Sequence, residues 1–584
     1  MTHRVTTERG ARIRASRADV LVAALVTIAV LGPVLFRRGF ALRGDMVFVP
    51  DQPWKDAWVG LDGAPPRSVP MDAVVWALGV PLPGDVVQKA LLASILLGAG
   101  VGIARLVAGL PLAARAAAIL VFVWNPWVDQ RLAIGQWAIV AGYAVLPWVV
   151  LAARRIGGGP PGGWPGLTVA LGAAAVTGPA SALMAGAAAA VVVLAGRRWR
   201  ALAPLAGIWL LVDLPWLVPA WFGPGADAAA GGQFLGFAAR GESPWGLVPS
   251  LLGLGGIWKE SVVPTLRTEP LVVALAALLS VAAVVAAVAS LRRGPPRAPR
   301  RVGRPGVAAL VVLAVGGFVL AALPAVPGVA AALDPGAGSV PALGLLRDSH
   351  RFLAPAALVV AVGAALLVRG LLERSAGRGR EGLVALAWLL VVWPVLCLPT
   401  LAWGRTGWLE PVAYPQAWTD LARELAGEGD TVTVVLPWRG SYRGFDWNDD
   451  RAMLDPAPRL LPGDVLVDDR VFLDDRALSS EQPGLEAVRE ALDQADPAVA
   501  LARLGVTHVL VEDQPGAGDV PPDGTTVFEG PGLTLVRLAV PGAAPPEGLA
   551  GIARTATVVG DVLAATVIAV GMGALARRRM YALR

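Results

Sequence analysis

The chain reads RGDMVFVPDQPW at residues 43–54, shortly after a first apolar run at residues 18–36. This run has about the length, roughly 20 residues, that a helix needs to cross the core of a bilayer. The two acids of the motif, Asp45 and Asp51, therefore lie at the membrane surface just beyond the first span. Acids in this position either take part in chemistry, as a proton acceptor or in a metal or phosphate site, or are solvated interfacial residues.

The composition indicates a polytopic membrane protein. Of the 584 residues, 55% are hydrophobic and 16% are charged, and the mean hydropathy is +0.61, which is too apolar for a soluble chain of this length. The formal net charge of +6 does not indicate nucleic-acid binding, because the basic residues form short clusters between apolar runs. The single cysteine, Cys397, excludes an internal disulfide and a cysteine cluster for a metal.

Roughly twelve apolar runs have the character of membrane spans. They lie at residues 18–36, 86–107, 113–123, 132–151, 167–176, 180–194, 202–221, 271–291, 307–323, 352–372, 383–402 and 556–575. The short fifth and sixth runs are separated by Thr177, Gly178 and Pro179, which predict the tip of a hairpin. The first run continues without a clear cleavage site, so we interpret it as a retained span rather than a signal peptide.

Arginine clusters predict the topology. With the N-terminus in the cytoplasm and an even number of spans, the arginines near the span ends fall on the cytoplasmic side, as the positive-inside rule requires. Residues 1–17 then form a cytoplasmic tail, and residues 18–403 form a transmembrane domain with a long first external loop at 37–85. Residues 550–584 provide the last span and an arginine-rich cytoplasmic tail. We expect a multi-pass protein of the plasma membrane.

The segment at residues 404–549 differs from the rest of the chain. Its charge rises, its apolar runs shorten, and strand-like pieces occur at 431–436, 507–512 and 533–538. Two further pieces, at 485–492 and 497–504, read as short helices. The segment therefore predicts a small extracytoplasmic α/β domain that is held by spans on both sides.

A second polar motif, RDSHRF at residues 347–352, stands where a predicted external loop enters a span. Arg347, His350 and Arg351 are costly at this depth unless they are paired, and the phosphate of a lipid carrier is a natural partner for a guanidinium group. The alternative is an interfacial anchor with an internal ion pair between an arginine and Asp348. The sequence leaves both interpretations open.

A third group of residues predicts a polar, aromatic external turn between two spans. The turn reads NPWVDQR at residues 125–131 and is followed by Gln136 and Trp137. Arg131, Gln136 and, in the first loop, Trp54 are candidates for substrate contact, because an aromatic face suits the C–H side of a sugar ring. Many of the 21 Trp residues are instead expected in the interfacial belt of a membrane protein.

Taken together, these features resemble the GT-C class of polyprenyl-phosphate-sugar-dependent glycosyltransferases. The loop GDMVFVPDQPW (44–54), the hairpin NPWVDQRLAIGQWAIVAGYAVLPW (125–148) and the motif RDSHRF (347–352) are similar to the transmembrane region of the large arabinofuranosyltransferases of mycobacterial-type cell walls. The chain also resembles the YfhO-like bacterial membrane proteins, whose late domain often contains a phrase similar to LARLGVTHVLVED (501–513).

This resemblance implies a GT-C-like fold and an inverting transfer of a sugar from a polyprenyl-phosphate donor to an envelope glycan or glycolipid on the outer face of the membrane. In the class, an acid of the first external loop is the catalytic base, which corresponds here to Asp45, with Asp51 second. Arg347 and Arg351 would hold the donor phosphate. If the reaction uses a divalent cation, Asp51 is the expected ligand.

The alternative function is that of a non-catalytic membrane protein, either a transporter or flippase for a lipid carrier or an envelope-assembly scaffold. Asp213, within the span at 202–221, and the break at residues 177–179 favour a transporter, but neither recurs symmetrically in the two halves of the chain. The enzyme hypothesis instead requires Asp45 and Arg351 to lie around one cavity.

Overall fold

The structure is a computed structural model that describes residues 2–156, 163–223, 233–292, 303–339, 341–375, 380–473, 476–478, 484–514, 523–539 and 548–583. The first half of the membrane domain contains α1 (Thr2–Phe36), α2 (Met71–Gly79), α3 (Gly84–Leu106), α4 (Leu112–Val123), α5 (Pro126–Ala133), α6 (Trp137–Ala153), α7 (Gly163–Val176), α8 (Pro179–Ala195) and α9 (Leu202–Phe222). The second half contains α10 (Gln233–Gly236), α11 (Leu247–Leu252), α12 (Pro270–Arg292), α13 (Gly303–Ala322), α14 (Pro327–Ser339), α15 (Ala354–Arg374), α16 (Glu381–Cys397) and α17 (Ala402–Thr406).

The apolar runs of the sequence form helices, as predicted. In the described part of the chain, eight helical stretches are long and apolar enough to cross a membrane, or nine if the bent pair of α16 and residues Pro399–Thr406 counts as one span. The helices α6, α7 and α8 are shorter and also apolar. Each predicted span coincides with one of these helices, so the polytopic α-helical fold is confirmed.

Helix α15 lies at the centre of the membrane domain. In its most apolar stretch 83% of the residues are buried, and the helix packs against α4, α12, α13 and α16. Small residues permit this close packing: a Cβ atom on Gly363 would lie 1.9 Å from the carbonyl oxygen of Ala283 in α12. The RDSHRF motif (347–352), which ends just before α15 begins, is therefore attached to the most buried of these long apolar helices.

The α/β domain, which we define as residues 404–549, contains a five-stranded sheet with the strand order β4-β1-β7-β9-β8. Its strands are β1 (Val432–Leu436), β2 (Tyr442–Arg443), β3 (Met453–Leu454), β4 (Asp464–Leu466), β5 (Val471–Leu473), β6 (Arg476–Leu478), β7 (His508–Glu512), β8 (Gly524–Gly530) and β9 (Leu533–Leu538). Strand β1 runs parallel to β4 and β7, whereas β9 is antiparallel to β7 and β8. The pairs β2–β3 and β5–β6 are separate hairpins.

Four helices accompany the sheet: α18 (Gln416–Ala426), α19 (Ala457–Leu460), α20 (Leu485–Leu492) and α21 (Pro497–Arg503). Helix α22 (Gly551–Leu583) then returns to the membrane domain and packs on α7 and α9. The three predicted strands coincide with β1, β7 and β9, and the two predicted helices with α20 and α21. The small sheet domain near the C-terminus is thus confirmed.

The α/β domain is hydrogen-bonded to the first loop (residues 37–85) through the backbone. Phe40 and Val412 exchange two bonds, of 2.8 and 2.9 Å. The amide of Gly44 donates to the carbonyl oxygen of Ala452 at 2.8 Å, and the amide of Leu454 donates to the carbonyl oxygen of Gly44 at 2.9 Å. The first loop therefore lies between the membrane domain and the α/β domain, and we call this side of the molecule the loop face.

Candidate active site at the loop face

Asp45 is fixed in place by close backbone packing. Its amide donates to the carbonyl oxygen of Ile134 at 3.0 Å. One glycine in each of the two segments allows this approach. A Cβ atom on Gly44 would lie 2.1 Å from the carbonyl oxygen of Ile134, and a Cβ atom on Gly135 would lie 2.0 Å from the carbonyl oxygen of Arg43. Both glycines have positive φ angles, of +51° and +78°. The partly buried carboxylate of Asp45 thus stands on a rigid support.

Two side chains from distant parts of the chain face this carboxylate. The hydroxyl of Tyr442, in strand β2, donates a hydrogen bond of 2.5 Å to Oδ1 of Asp45. Burial lowers the pKa of the Lys259 ammonium group, and the carboxylate of Asp45 opposes that shift while Arg43 adds to it. Asp45 therefore binds one hydroxyl donor and interacts with the charge of one lysine.

Arg347 belongs to the same neighbourhood. Burial and the charge of Asp45 raise the pKa of the Tyr442 hydroxyl well above its usual value, whereas Arg347 and Arg67 act in the opposite direction. The guanidinium of Arg347 also lies 5.1 Å from the centre of the Phe237 ring. The charge of Arg347 thus acts on Tyr442, the hydrogen-bond partner of Asp45.

Positive charge is also concentrated around Arg43, two residues before Asp45 in the chain. The guanidinium of Arg43 stacks on the Trp408 ring at 3.4 Å from its centre. Burial lowers the pKa of Arg43 to about 10, and the positive charges of Arg451 and Arg405 contribute to the shift. A group of cations held close together in this way attracts an anionic ligand.

The predicted external turn at residues 125–131 is instead the short, buried helix α5. Asn125 caps it, because its side chain accepts a hydrogen bond of 3.0 Å from the amide of Val128, and Pro126 occupies the first helical position. Trp127 is fully buried and stacks on Tyr143 at 4.8 Å between ring centres. The polar side chains of residues 125–131 suggested exposure to water, but they form hydrogen bonds and ion pairs inside the protein.

Three consecutive residues of α5 each bind a different, distant segment. The pairs are Asp129 with Arg405, Gln130 with Glu242, and Arg131 with Asp348. Glu242 is in turn paired with Arg267, and both of these side chains are fully buried. Buried charges are tolerated only when they are paired, so these contacts join α5 firmly to three later segments.

Four of the predicted substrate-binding residues meet in one network. Arg131 donates to Oδ1 of Asp348 at 3.0 Å, to Oε1 of Gln136 at 2.5 Å, and lies 2.9 Å from Nδ1 of His350. Arg351 contacts the same Asp348 carboxylate at 3.3 Å. Arg131 and His350 are fully buried, whereas 19% of the Arg351 side chain is exposed. The internal ion pair considered for the RDSHRF motif is thus present.

Asp51 and Trp54 lie elsewhere on the first loop. Asp51 is exposed and lines an open groove of about 440 Å³ together with Phe40, Pro50 and Asp85. Trp54 is 47% exposed and packs edge-on against Trp76 at 4.7 Å between ring centres. Within the described residues, no hydrogen bond or ion pair joins Asp51 to Asp45 or to the arginines of the RDSHRF motif.

The prediction that a divalent cation would bind at Asp51 concerns this groove. Across the described ranges, no group of three or more His, Cys, Asp or Glu side chains is placed to hold a metal ion. Asp51 and Asp85 offer two carboxylates to the groove, a number through which Mg²⁺ commonly binds together with substrate phosphates, so a cation at Asp51 stays a prediction. We therefore derive no chemical step through a metal.

Tyr442 and Lys259 were not among the predicted site residues. Each belongs to a rare type in this chain: Tyr occurs four times, and Lys occurs only at positions 55, 89 and 259 among many arginines. Rarity was the one sequence signal that could have drawn attention to them. It does not identify their partner, because Tyr442 lies 397 positions from Asp45.

Comparisons with solved structures give the fold a precedent. The chain is similar to arabinofuranosyltransferase AftD from Mycobacteria, with a TM-score of 0.54 and 16% identity over 91% of this chain, and to a mutant of that enzyme, with a TM-score of 0.52 and 17% identity over 92% of this chain. The matches span 40% and 42% of the AftD chains. No protein-family model matches, and neither does any curated protein. The fold is GT-C-like, as the sequence resemblance implied.

Proposed function

We propose that this protein is an inverting membrane glycosyltransferase. It takes a sugar from a polyprenyl-phosphate donor and adds it to a hydroxyl of an envelope glycan or glycolipid on the outer side of the plasma membrane. The observation that carries the proposal is the carboxylate of Asp45, which close backbone packing holds in place and which the hydroxyl of Tyr442 binds. The GT-C-like fold, shared with an arabinofuranosyltransferase, makes arabinofuranose the first sugar to test.

In the proposed reaction, Asp45 is the catalytic base. Its carboxylate accepts the proton of the acceptor hydroxyl while the hydroxyl oxygen forms a bond to the anomeric carbon of the sugar. The bond between that carbon and the donor phosphate breaks, and the electron pair leaves with polyprenyl phosphate. Because the leaving phosphate is already ionised, no second proton donor is required, and one displacement inverts the anomeric centre.

Cations around Asp45 bind the phosphate of the donor in this proposal. Arg347, Lys259 and Arg43 stabilise the charge that develops on the leaving group, which fixed positive charges do most effectively in a crevice that excludes water. Arg351 is oriented by Asp348. Arg131 and His350 are fully buried, and we assign them the role of holding this segment in place.

The groove beside Asp51 is proposed to bind the acceptor. Carboxylates such as those of Asp51 and Asp85 accept hydrogen bonds from sugar hydroxyls, and the exposed ring of Trp54 provides an aromatic face on the same loop. This role needs no metal, and it separates the function of Asp51 from that of Asp45.

The proposal is tested with purified protein in lipid vesicles, synthetic polyprenyl-phosphate sugars that carry a radioactive label, and envelope glycolipid extract as acceptor. The wild type should transfer label from at least one donor in a panel of pentoses and hexoses that starts with arabinofuranose. Asp45→Asn should reduce transfer by at least about 100-fold, the usual contribution of a general base, while Asp51→Asn should raise the acceptor KM. No transfer by the wild type, or full activity of Asp45→Asn, would overturn the assignment.

A second candidate function, transport of a lipid carrier, is favoured by one observation. Asp213 is fully buried in α9, where Nε1 of Trp216 donates to one carboxylate oxygen at 2.9 Å and, among the described atoms, the other oxygen has no hydrogen-bond partner. Acids inside a span often mark an ion or substrate path. If Asp213→Asn abolishes flipping of labelled polyprenyl phosphate in vesicles while wild-type vesicles transfer no sugar, transport is the function.

A further inference from the structure

We infer that Tyr442 of the α/β domain is a positioning residue that orients the carboxylate of Asp45 for catalysis. The inference rests on the proposed function, and it assigns the α/β domain a direct part in the active site. The starting observation is the 2.5 Å hydrogen bond from the Tyr442 hydroxyl to Oδ1 of Asp45. Although 41% of Tyr442 is exposed, its hydroxyl end is directed inward, at the carboxylate.

The backbone holds both residues in register. Tyr442 pairs with Leu454 across the β2–β3 hairpin, and the amide of Leu454 donates to the carbonyl oxygen of Gly44, the residue before Asp45. The hairpin therefore adds to the first loop as a further strand-like segment. Strand β3 thus links the backbone of Tyr442 to that of Gly44, the residue before Asp45.

The opposite side of the hairpin is anchored inside the α/β domain. Arg443 lies 3.3 Å from a carboxylate oxygen of Asp455 and 3.3 Å from one of Glu512, and these side chains are almost completely buried. Its Nη2 also donates to the carbonyl oxygen of Pro437 at 2.7 Å. Because Arg443 cannot shift without breaking these contacts, the neighbouring Tyr442 is held at a fixed distance from the first loop.

The chemistry of the pair fits a positioning role. An ionised carboxylate has two oxygens, and a donor that binds one of them fixes the plane of the group and leaves the other free to accept the proton of the acceptor hydroxyl. The hydroxyl must stay protonated to donate. Burial and the negative charge of Asp45 raise the pKa of Tyr442, so it remains a donor over the physiological pH range.

Tyr414 provides a matched control. Its hydroxyl also joins the α/β-domain segment to the first loop, by a hydrogen bond of 3.0 Å to the carbonyl oxygen of Phe48, but it does not touch a carboxylate. Replacing either tyrosine by phenylalanine removes one hydroxyl and one bond between the same two parts of the molecule. Only the Tyr442 substitution removes the contact with Asp45.

The test measures kcat and KM of Tyr442→Phe, Tyr414→Phe and Asp45→Asn with the labelled polyprenyl-phosphate sugar that the wild type transfers best. We expect Tyr442→Phe to lower kcat by about 10-fold to 100-fold, as loss of an orienting partner does, with an unchanged donor KM. Tyr414→Phe should keep the wild-type kcat, and Tyr442→Phe should have no further effect in the Asp45→Asn background.

The outcomes separate this inference from the proposed function. If Asp45→Asn is inactive but Tyr442→Phe keeps full kcat, the positioning role is wrong and the glycosyltransferase assignment stands. Equal losses in both tyrosine variants would mean that domain docking alone matters, and a faster Tyr442→Phe would mean that the hydroxyl blocks the site; either result overturns the inference. Full activity of Asp45→Asn overturns the proposed function itself.

Discussion

Arg131 and Asp348 form a buried ion pair across 217 positions of sequence, with the guanidinium fully buried and 5% of the carboxylate side chain exposed. The pair lies at the start of the central helix α15 and joins it to α5. The same carboxylate also binds Arg351. One acid thus holds together two of the three polar motifs that the sequence distinguishes.

Removing one member of this pair should be severely destabilising. Arg131→Met removes the guanidinium that neutralises the buried carboxylate of Asp348. We expect the free energy of unfolding to fall by about 3–5 kcal/mol. Thermal unfolding of the purified protein in detergent measures the effect. Combining Arg131→Met with Asp348→Leu should recover much of the loss, and Arg423→Met, which removes an exposed pair with Asp420, should leave the melting temperature close to that of the wild type. A melting temperature of Arg131→Met equal to that of the wild type would contradict the prediction.

The glycine at position 135 should be required for the geometry of Asp45. In Gly135→Ala the new Cβ would lie 2.0 Å from the carbonyl oxygen of Arg43 and 2.4 Å from the amide nitrogen of Met46, at a backbone φ of +78°. We expect a loss of stability of more than about 1 kcal/mol and a lower kcat for sugar transfer. The control is Gly98→Ala in α3, where a Cβ would meet no heavy atom within 4 Å. Equal behaviour of the two variants would argue against this support of the loop.

Lys259 should contribute to donor binding through its charge. Lys259→Met removes a cation that faces Asp45, so the KM for the anionic donor should rise about 10-fold, which corresponds to roughly 1.4 kcal/mol. Lys259→Arg should restore most of the affinity, because it keeps the charge. Lys89→Met, which removes an ion pair with Asp85 at 2.6 Å within α3, should leave the donor KM unchanged. A donor KM that is insensitive to the charge at position 259 would exclude Lys259 from the phosphate site.

The contribution of Lys55 to the free energy of unfolding should rise with pH. Burial lowers the pKa of Lys55 to about 8 from 10.5, and Asp464 only partly opposes the shift. Between pH 8 and 10.5 Lys55 is therefore protonated more in the unfolded chain than in the folded chain, and the free energy of unfolding increases with pH. Below pH 8 Lys55 is protonated in both states, and the cost of burying its charge is constant. Melting temperatures of wild type and Lys55→Met at pH 7.5, 8.5 and 9.5 should converge as pH rises. Parallel curves would refute the assignment.

The sequence predicted the helical framework well because its signal is local. A run of apolar residues long enough to cross a bilayer forms a helix whatever it packs against, so the spans coincide with α1, α3, α4 and the later helices. The strands β1, β7 and β9 were also predictable from short β-branched runs, which carry their own propensity.

The candidate site was predictable only in part. Asp45 was identified because it follows the first span, but Tyr442 and Lys259 come from segments with no local sign of chemistry. The residues at 125–131 were expected in an exposed turn because they are polar, whereas ion pairs with distant segments satisfy Asp129 and Arg131 inside the protein. A single sequence does not show which charged residues form ion pairs, so these long-range pairs could not be predicted from it.

The three contacts of α5 also constrain how the protein is made. Asp129, Gln130 and Arg131 leave the ribosome long before their partners, which follow 276, 112 and 217 positions later. Until Arg405 has been synthesised, the nascent chain carries an unmatched acid in a segment that must become buried. Completion of the membrane domain therefore requires translation through α17, which carries Arg405, and a product that ends before this residue retains an uncompensated acid at Asp129.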